Sequence, residues 1–253
     1  MMIDDMLAAY KSSKTISNRS LHGQVANELG ERIIRGDLKP GEVLPNEFDL
    51  IGGLNISRTA YREAIKVLSA KGLVDARQRT GTRVSPKSNW NLLDPDVLAW
   101  HFTERPDPQF IRAMFEMRLM FEPRISAMSA VRRTPDQLRA IEAAYEAMTS
   151  APPKSEEIFQ ADLQFHQAIL NASGNHFVVS LGMMIESALL GLFRLTNVRS
   201  GNFLHDHGEV LRAIAFQKPD EAHALMRALI REAMGQITNV YGQLDSDFDA
   251  VGL

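Results

Sequence analysis

Apolar residues recur every fourth position at Leu21, Val25, Leu29 and Ile33, which predicts an amphipathic helix over 20–35. Gly36-Asp37 stops it, and Lys39-Pro40-Gly41 turns the chain. A short helix is expected over 46–53, weakened by Gly52 and Gly53. Ser57 is a good N-cap. After it, Tyr61, Ala64, Ile65 and Leu68 fall at offsets 0, 3, 4 and 7 and form one apolar face. Arg58, Arg62 and Lys66 form a basic stripe on another side of the same helix, and Gly72 ends it. Leu73-Val74 and Thr82-Arg83-Val84 flank a polar turn that carries Arg77, Arg79 and Gly81, the pattern of a two-stranded wing.

Beyond a linker over 88–93, every periodic stretch is helical. The expected helices are Pro95–Phe102, Pro108–Val131, Pro135–Thr149, Glu156–Asn171, His176–Leu195, Leu204–Phe216 and Pro219–Leu244. Pro123 lies inside the second and should kink it. The expected fold is therefore mostly α. An arm (1–18) precedes an N-terminal winged helix-turn-helix over 19–87, with three helices and a two-stranded wing. A C-terminal all-α bundle spans 94–244, and a tail follows over 245–253.

Composition narrows the function. The chain has 253 residues, 45% hydrophobic and 23% charged, with no cysteine. That excludes disulfide scaffolds, cysteine-ligated metal and thiol catalysis. No stretch reaches the length of a membrane span, and the start lacks the pattern of a signal peptide, so a cytoplasmic location is expected. The net charge of −3 is unevenly spread, with +4 over 1–88 and −7 over 89–253. Between Ser57 and Lys87, eight basic residues face two acidic ones. A basic module beside an acidic one suits a partner that is a polyanion.

A helix with a basic N-terminal half fits the major groove of DNA. Arg58 and Arg62 can each fork to guanine or clamp phosphate, and Ser57 and Thr59 can hydrogen-bond phosphate. Lys66 extends the stripe, and Arg79, Gly81 and Arg83 put the wing against a backbone or a minor groove.

In the second module, polar residues sit on core faces. Asp162 and His166 lie at offsets 4 and 8 from Ile158, on the face of Phe165 and Ile169. His207 shares a face with Val210, Leu211 and Ile214, and Arg118 with Ile111, Met114, Phe121 and Ile125. Buried charges must be paired, ligate a metal or serve a ligand. Asp162 and His166, one turn apart, can share a metal ion. The alternative is an internal Asp–His hydrogen bond that only positions helices.

The run Pro40-Gly41, Leu44-Pro45-x-Glu47, Ser57-Arg58-Thr59, Arg62-Glu63-Ala64 and Gly81-Thr82 closely resembles the DNA-binding domain of the GntR family of bacterial transcription regulators. The resemblance implies operator contacts from Arg58, Arg62 and Gly81. Phe48 stands where the family often has arginine, so one contact is expected to differ. EMRLMFEP (116–123), ADLQFHQAI (161–169), ASGN (172–175) and HGEVLRAI (207–214) resemble the FCD effector domain of the FadR subfamily. Residues 88–100 resemble the linker of sugar-acid regulators of the galactonate type.

The FCD resemblance implies that Asp162, His166 and His207 hold a divalent metal (Zn²⁺, Ni²⁺ or Mn²⁺) with a further histidine 22 positions on, beside a bound carboxylate. Leu229 stands at that position, and leucine cannot ligate. Either a three-ligand metal site remains, or the acid is held without metal. Arg118 is the expected carboxylate partner, with Arg194 and Asn197 as hydroxyl contacts.

The expected function is a homodimeric repressor of a sugar-acid or carboxylate operon. It binds double-stranded, pseudo-palindromic operator DNA and is released by the acid. A metal-responsive regulator is the alternative. A metal-dependent hydrolase or isomerase is the remote one, for no general base, nucleophile or phosphate loop is visible.

Overall fold

The computed structural model describes residues 20–44, 57–77, 81–103, 106–153, 155–180 and 202–241, together with 182, 185, 186 and 189. The chain divides into two compact units, residues 1–105 and 106–253.

In the first unit α1 spans Leu21–Arg35. Ser20 caps it by accepting from the Gly23 N–H, and Gly36 closes it with φ +89°. Its inward residues Val25, Leu29 and Ile33 are buried, as the four-residue period requires. α2 (Arg58–Ala70) packs on α1. Gly72 follows at φ +76°, with an added Cβ placed 2.0 Å from the Asn89 carbonyl oxygen. Only glycine takes that conformation and that approach without strain. β1 (Val74–Arg77) and β2 (Gly81–Val84) pair antiparallel, Val74 opposite Val84. A third segment joins them. Val43 bridges to Arg83, with Gly41 N–H donating to Val84 and Leu44 N–H to Thr82. A winged helix-turn-helix needs this small sheet to seal its core, in which Leu44, Leu73, Val74 and Val84 are buried.

A seven-residue helix α3 (Pro95–His101) belongs with this unit. The sequence pattern assigned it to the helical domain, but its contacts are with α1. Trp100 is buried and donates from Nε1 to Asn27 Oδ1 at 2.6 Å. Lys71 Nζ reaches both Asp94 (2.7 Å) and Asp96 (2.6 Å) at the start of α3.

The second unit holds α4 (Pro108–Arg132), α5 (Pro135–Ser150), α6 (Glu156–Ala172), α7 (His176–Ser180), α8 (Phe203–Ala215) and α9 (Pro219–Tyr241). α3, α4 and α5 start alike. Asp94, Asp107 and Thr134 accept a first-turn N–H, and a proline follows where no N–H is needed. Helix α4 runs through Pro123 without interruption. α9 lies along α4, α5 packs on α6, and α8 touches α4, α5 and α9. Arg132 and Arg133 at the end of α4 cap two neighbours. Arg132 donates to the Ser173 carbonyl after α6, and Arg133 donates to the Ile214 and Ala215 carbonyls closing α8. The helices α4, α6 and α8 are thus tied at one end, which fixes the alignment of their inner faces.

The helix expected over 46–53, the arm, the tail and most of the helix expected over 176–195 lie outside the described residues. Among the described residues, no helix is long and apolar enough to cross a membrane.

Candidate functional site

On α2, Tyr61, Ala64, Ile65 and Leu68 face the core. This leaves Arg58, Thr59, Arg62 and Lys66 exposed together, beside Ser57. Ser57 Oγ accepts from the Ala60 N–H at 3.2 Å, so its lone pair serves the helix cap. Lys66 is held by Glu63 at 2.8 Å. At the wing, Gly81 is exposed with φ +79°. Arg83 donates from Nη1 to the Gly41 carbonyl at 2.9 Å, bracing β2 against the third segment. Arg79 and Phe48 lie outside the described residues.

The second site is buried. Asp162 and His166 on α6, His207 on α8, and Arg118 and Glu122 on α4 are each at most 3% exposed. His207 Nε2 lies 3.0 Å from Asp162 Oδ1, and His166 Nε2 lies 3.6 Å from the same oxygen. Asp162, His166 and His207 can each offer one ligand atom within 4.8 Å of the others, the kind of cluster that holds a metal ion. A tetrahedral shell with bonds of about 2.1 Å has edges of roughly 3.4 Å, and the two distances to Asp162, 3.0 and 3.6 Å, bracket that value.

Proton positions sharpen this. His207 Nδ1 is 2.7 Å from the Phe203 carbonyl oxygen. A carbonyl only accepts, so Nδ1 carries the hydrogen and Nε2 of a neutral ring is bare. His166 Nδ1 lies 2.9 Å from Glu122 Oε2, although its angle falls short of a good hydrogen bond. Burial opposes ionisation of Glu122 most strongly. The charges of Arg118 and His166, the hydrogen bonds from Arg118 and the close approach of His166 together outweigh it, holding the carboxyl at about 2. An ionised Glu122 directs the His166 proton to Nδ1 as well. Both rings then turn a lone pair toward Asp162. Lone pairs at such distances repel unless positive charge lies between them, either a metal ion or a proton on one of these three atoms.

Arg118 differs from the sequence expectation in what it touches. Its Nε and Nη2 donate to Glu122 at 2.5 and 3.3 Å, and only Nη1 finds no partner among the described residues. Ser126 Oγ, one turn beyond Glu122 and fully buried, also finds none. Glu122 and Ser126 were missed by the sequence reading, although Arg118-x₃-Glu122-x₃-Ser126 repeats every four residues. Phe121, assigned to the inner face, is 40% exposed. Leu229 is buried with Ala222, Met226 and Ile230. Arg194 and Asn197 lie outside the described residues.

Residues 21–84 match the family of bacterial regulatory proteins named for gntR, and residues 113–232 match the FCD domain. An HTH-type transcriptional regulator of Escherichia coli, YieP, is 33% identical over 85% of this chain and 94% of its own. The chain is a GntR-family regulator. It carries the FCD domain of the FadR type, which makes it a transcriptional regulator and not an enzyme. The galactonate operon transcriptional repressor of E. coli is 31% identical over 84% of this chain and 94% of its own. Among solved structures, Lar, which controls the Listeria monocytogenes agr system, has a TM-score of 0.51 at 18% identity, covering 88% of this chain and 98% of that one. This likeness speaks for the fold. GntR-family regulators bind operator DNA and typically form dimers.

Proposed function

We propose that this GntR-family regulator is a cytoplasmic, homodimeric repressor whose buried Asp162/His166/His207 cluster receives a small carboxylic or sugar acid together with one divalent metal ion. The observation that carries the reading is the pair of ring nitrogens facing one carboxylate oxygen inside a domain that matches FCD. Two of the relatives it resembles are named as a transcriptional regulator and a galactonate operon repressor.

Charge favours a metal-assisted site. Asp162 and Glu122 against Arg118 leave one negative charge when both rings are neutral, and that repels an acid. Arg118 is mostly occupied by Glu122, so it offers an incoming oxygen only Nη1. When bound, a divalent cation would supply the missing positive charge and, with Leu229 supplying no fourth ligand, open positions for acid oxygens. Ser126 is placed one turn from Glu122 as a further hydroxyl contact. The acid shifts the population toward a form whose two DNA heads no longer fit both half-sites. On the DNA side, Ser57, Arg58, Thr59, Arg62 and Lys66 lie in the major groove, with Gly81 and Arg83 at the wing.

A thermal-shift series on the full chain tests this, using C4–C6 carboxylic and sugar acids with Zn²⁺ or with EDTA. An acid at a hundred times its dissociation constant stabilises by about 2.7 kcal/mol. The expected result is a shift that EDTA abolishes, together with loss of operator affinity. A shift that survives EDTA means that protonated histidines hold the acid alone. Loss of operator binding on adding metal alone would make the protein a metal sensor and overturn the reading.

A further inference from the structure

We infer that Glu122 is a positioning residue, which fixes the ring of His166 so that its Nε2 is bare toward Asp162, and that Arg118 serves Glu122 before it serves any acid. The inference rests on the metal-assisted reading for its purpose but on separate geometry for its mechanism. Glu122 lies on α4, one turn after Arg118, and is buried between two partners. Its Oε1 accepts from Arg118 Nε at 2.5 Å, and its Oε2 lies 2.9 Å from His166 Nδ1. Nothing in this chain of three is exposed by more than 2%.

An isolated carboxylate could not stay ionised at such depth. The guanidinium is what keeps it so, and the carboxylate in turn pins the proton of the imidazole. His207 reaches the same state by a different route, through the Phe203 carbonyl at 2.7 Å. Two rings from two helices are therefore held in one tautomer by two unrelated acceptors. An arrangement that merely joined Asp162 to a neutral histidine would need the ring's one hydrogen on Nε2, and the outer acceptors oppose that. Rings held from behind in this way are what ligand histidines require, since a free ring divides its population between tautomers and orientations.

The test uses the full-length protein, ¹⁵N-labelled at histidine, with Zn²⁺ as the probe. Removing Glu122 alone strands Arg118 in the interior, so the first variant is Arg118→Met/Glu122→Leu, which removes both charges and the acceptor that faces His166 Nδ1. The second is Glu122→Asp, which keeps the charge and withdraws the oxygen by one methylene. In the metal-free native protein, at a pH high enough to keep both rings neutral, His166 and His207 should both show the Nδ1–H tautomer. In either folded variant, His166 should lose that signature while His207 keeps it, and the Zn²⁺ dissociation constant should rise by about 10- to 100-fold. Native His166 in the Nε2–H form overturns the inference, as does a folded variant with unchanged His166 tautomer. If the native protein binds no Zn²⁺, the metal-assisted reading fails, and the tautomer comparison still decides the role of Glu122.

Discussion

Arg62 and Lys66 lie one turn apart on the exposed side of α2, and they differ in what they already touch. Lys66 is paired with Glu63 and, mainly through that hydrogen bond, holds the Glu63 carboxyl below its ordinary value. Arg62 has no ion pair among the described residues and is ready to fork onto a base. Arg62→Ala should cost about 1–3 kcal/mol of operator binding if it reads a base, and Lys66→Ala should cost less. Fluorescence anisotropy on operator and random duplexes separates the cases, because an equal loss on both would assign Arg62 to phosphate. Deeper in the chain, Glu122 makes a prediction about acid. Its carboxyl is held at about 2 in the fold against an ordinary value of 4.5. The unfolded chain therefore binds more protons between those values. The stability Glu122 contributes is complete above about pH 4.5 and is lost as pH falls toward 2. Urea midpoints across that window should fall less steeply in Arg118→Met/Glu122→Leu than in the native protein, and equal slopes would refute the assignment. Asp162, His166 and His207 were legible in the sequence because each breaks an otherwise apolar stripe. Glu122 was not, because α4 mixes apolar and charged residues all round, with Met120, Phe121 and Val131 exposed and Arg118 and Glu122 buried. A polar residue stands out only against a defined inner face.

The helices themselves were readable to within a residue or two wherever a cap and a proline marked their start, as at Asp94, Asp107 and Thr134. The partner of a helix was not readable. α3 looks like the first helix of the bundle, yet Lys71, Asn27 and Gly30 in the first unit hold it. Local pattern fixes an element's period, while its neighbour depends on contacts more than 60 residues away in sequence, such as that of Trp100 with Asn27. Gly30 offers the sharpest test of that docking. In an ordinary helix, Gly→Ala stabilises by about 1 kcal/mol. Here a Cβ would meet the Trp100 ring at 2.5 Å, and the ring is buried and hydrogen-bonded. Overpacking of this kind costs about 1–3 kcal/mol, so the clash should reverse the sign. Both tryptophans, Trp90 and Trp100, lie in the first unit, so tryptophan fluorescence, excited where tyrosine does not absorb, follows that unit alone. Gly30→Ala should lower the urea midpoint read by fluorescence. A midpoint unchanged or raised would mean that α3 is not seated on α1.

At the scale of the whole molecule, control of DNA by the proposed site requires one thermodynamic coupling between a basic DNA-binding unit and an acidic helical one. If metal and acid share the Asp162/His166/His207 site as proposed, their affinities must be reciprocal: the factor by which Zn²⁺ tightens the acid equals the factor by which the acid tightens Zn²⁺. The charge of the site gives the sign, since two carboxylates against one guanidinium repel an anion until a cation is present. The coupling should therefore be positive, and a typical coupling of 1–3 kcal/mol corresponds to about 5- to 150-fold. Calorimetric titration of an acid that is active in the thermal-shift series, with and without Zn²⁺, followed by Zn²⁺ with and without that acid, closes the cycle. Asp162→Asn removes the negative charge as well as a ligand, and with it both the repulsion and the reason for metal. In that variant the acid should bind independently of Zn²⁺. Operator affinity adds the third corner. An acid that binds both operator-competent and released forms equally shifts nothing, however tightly it binds. The dissociation constant of the acid should thus be weaker on the operator-bound protein by the same factor that the acid weakens operator binding. Equal acid affinity in the free and DNA-bound states would separate the helical pocket from control of DNA, and the repressor mechanism would have to be abandoned even with both sites intact.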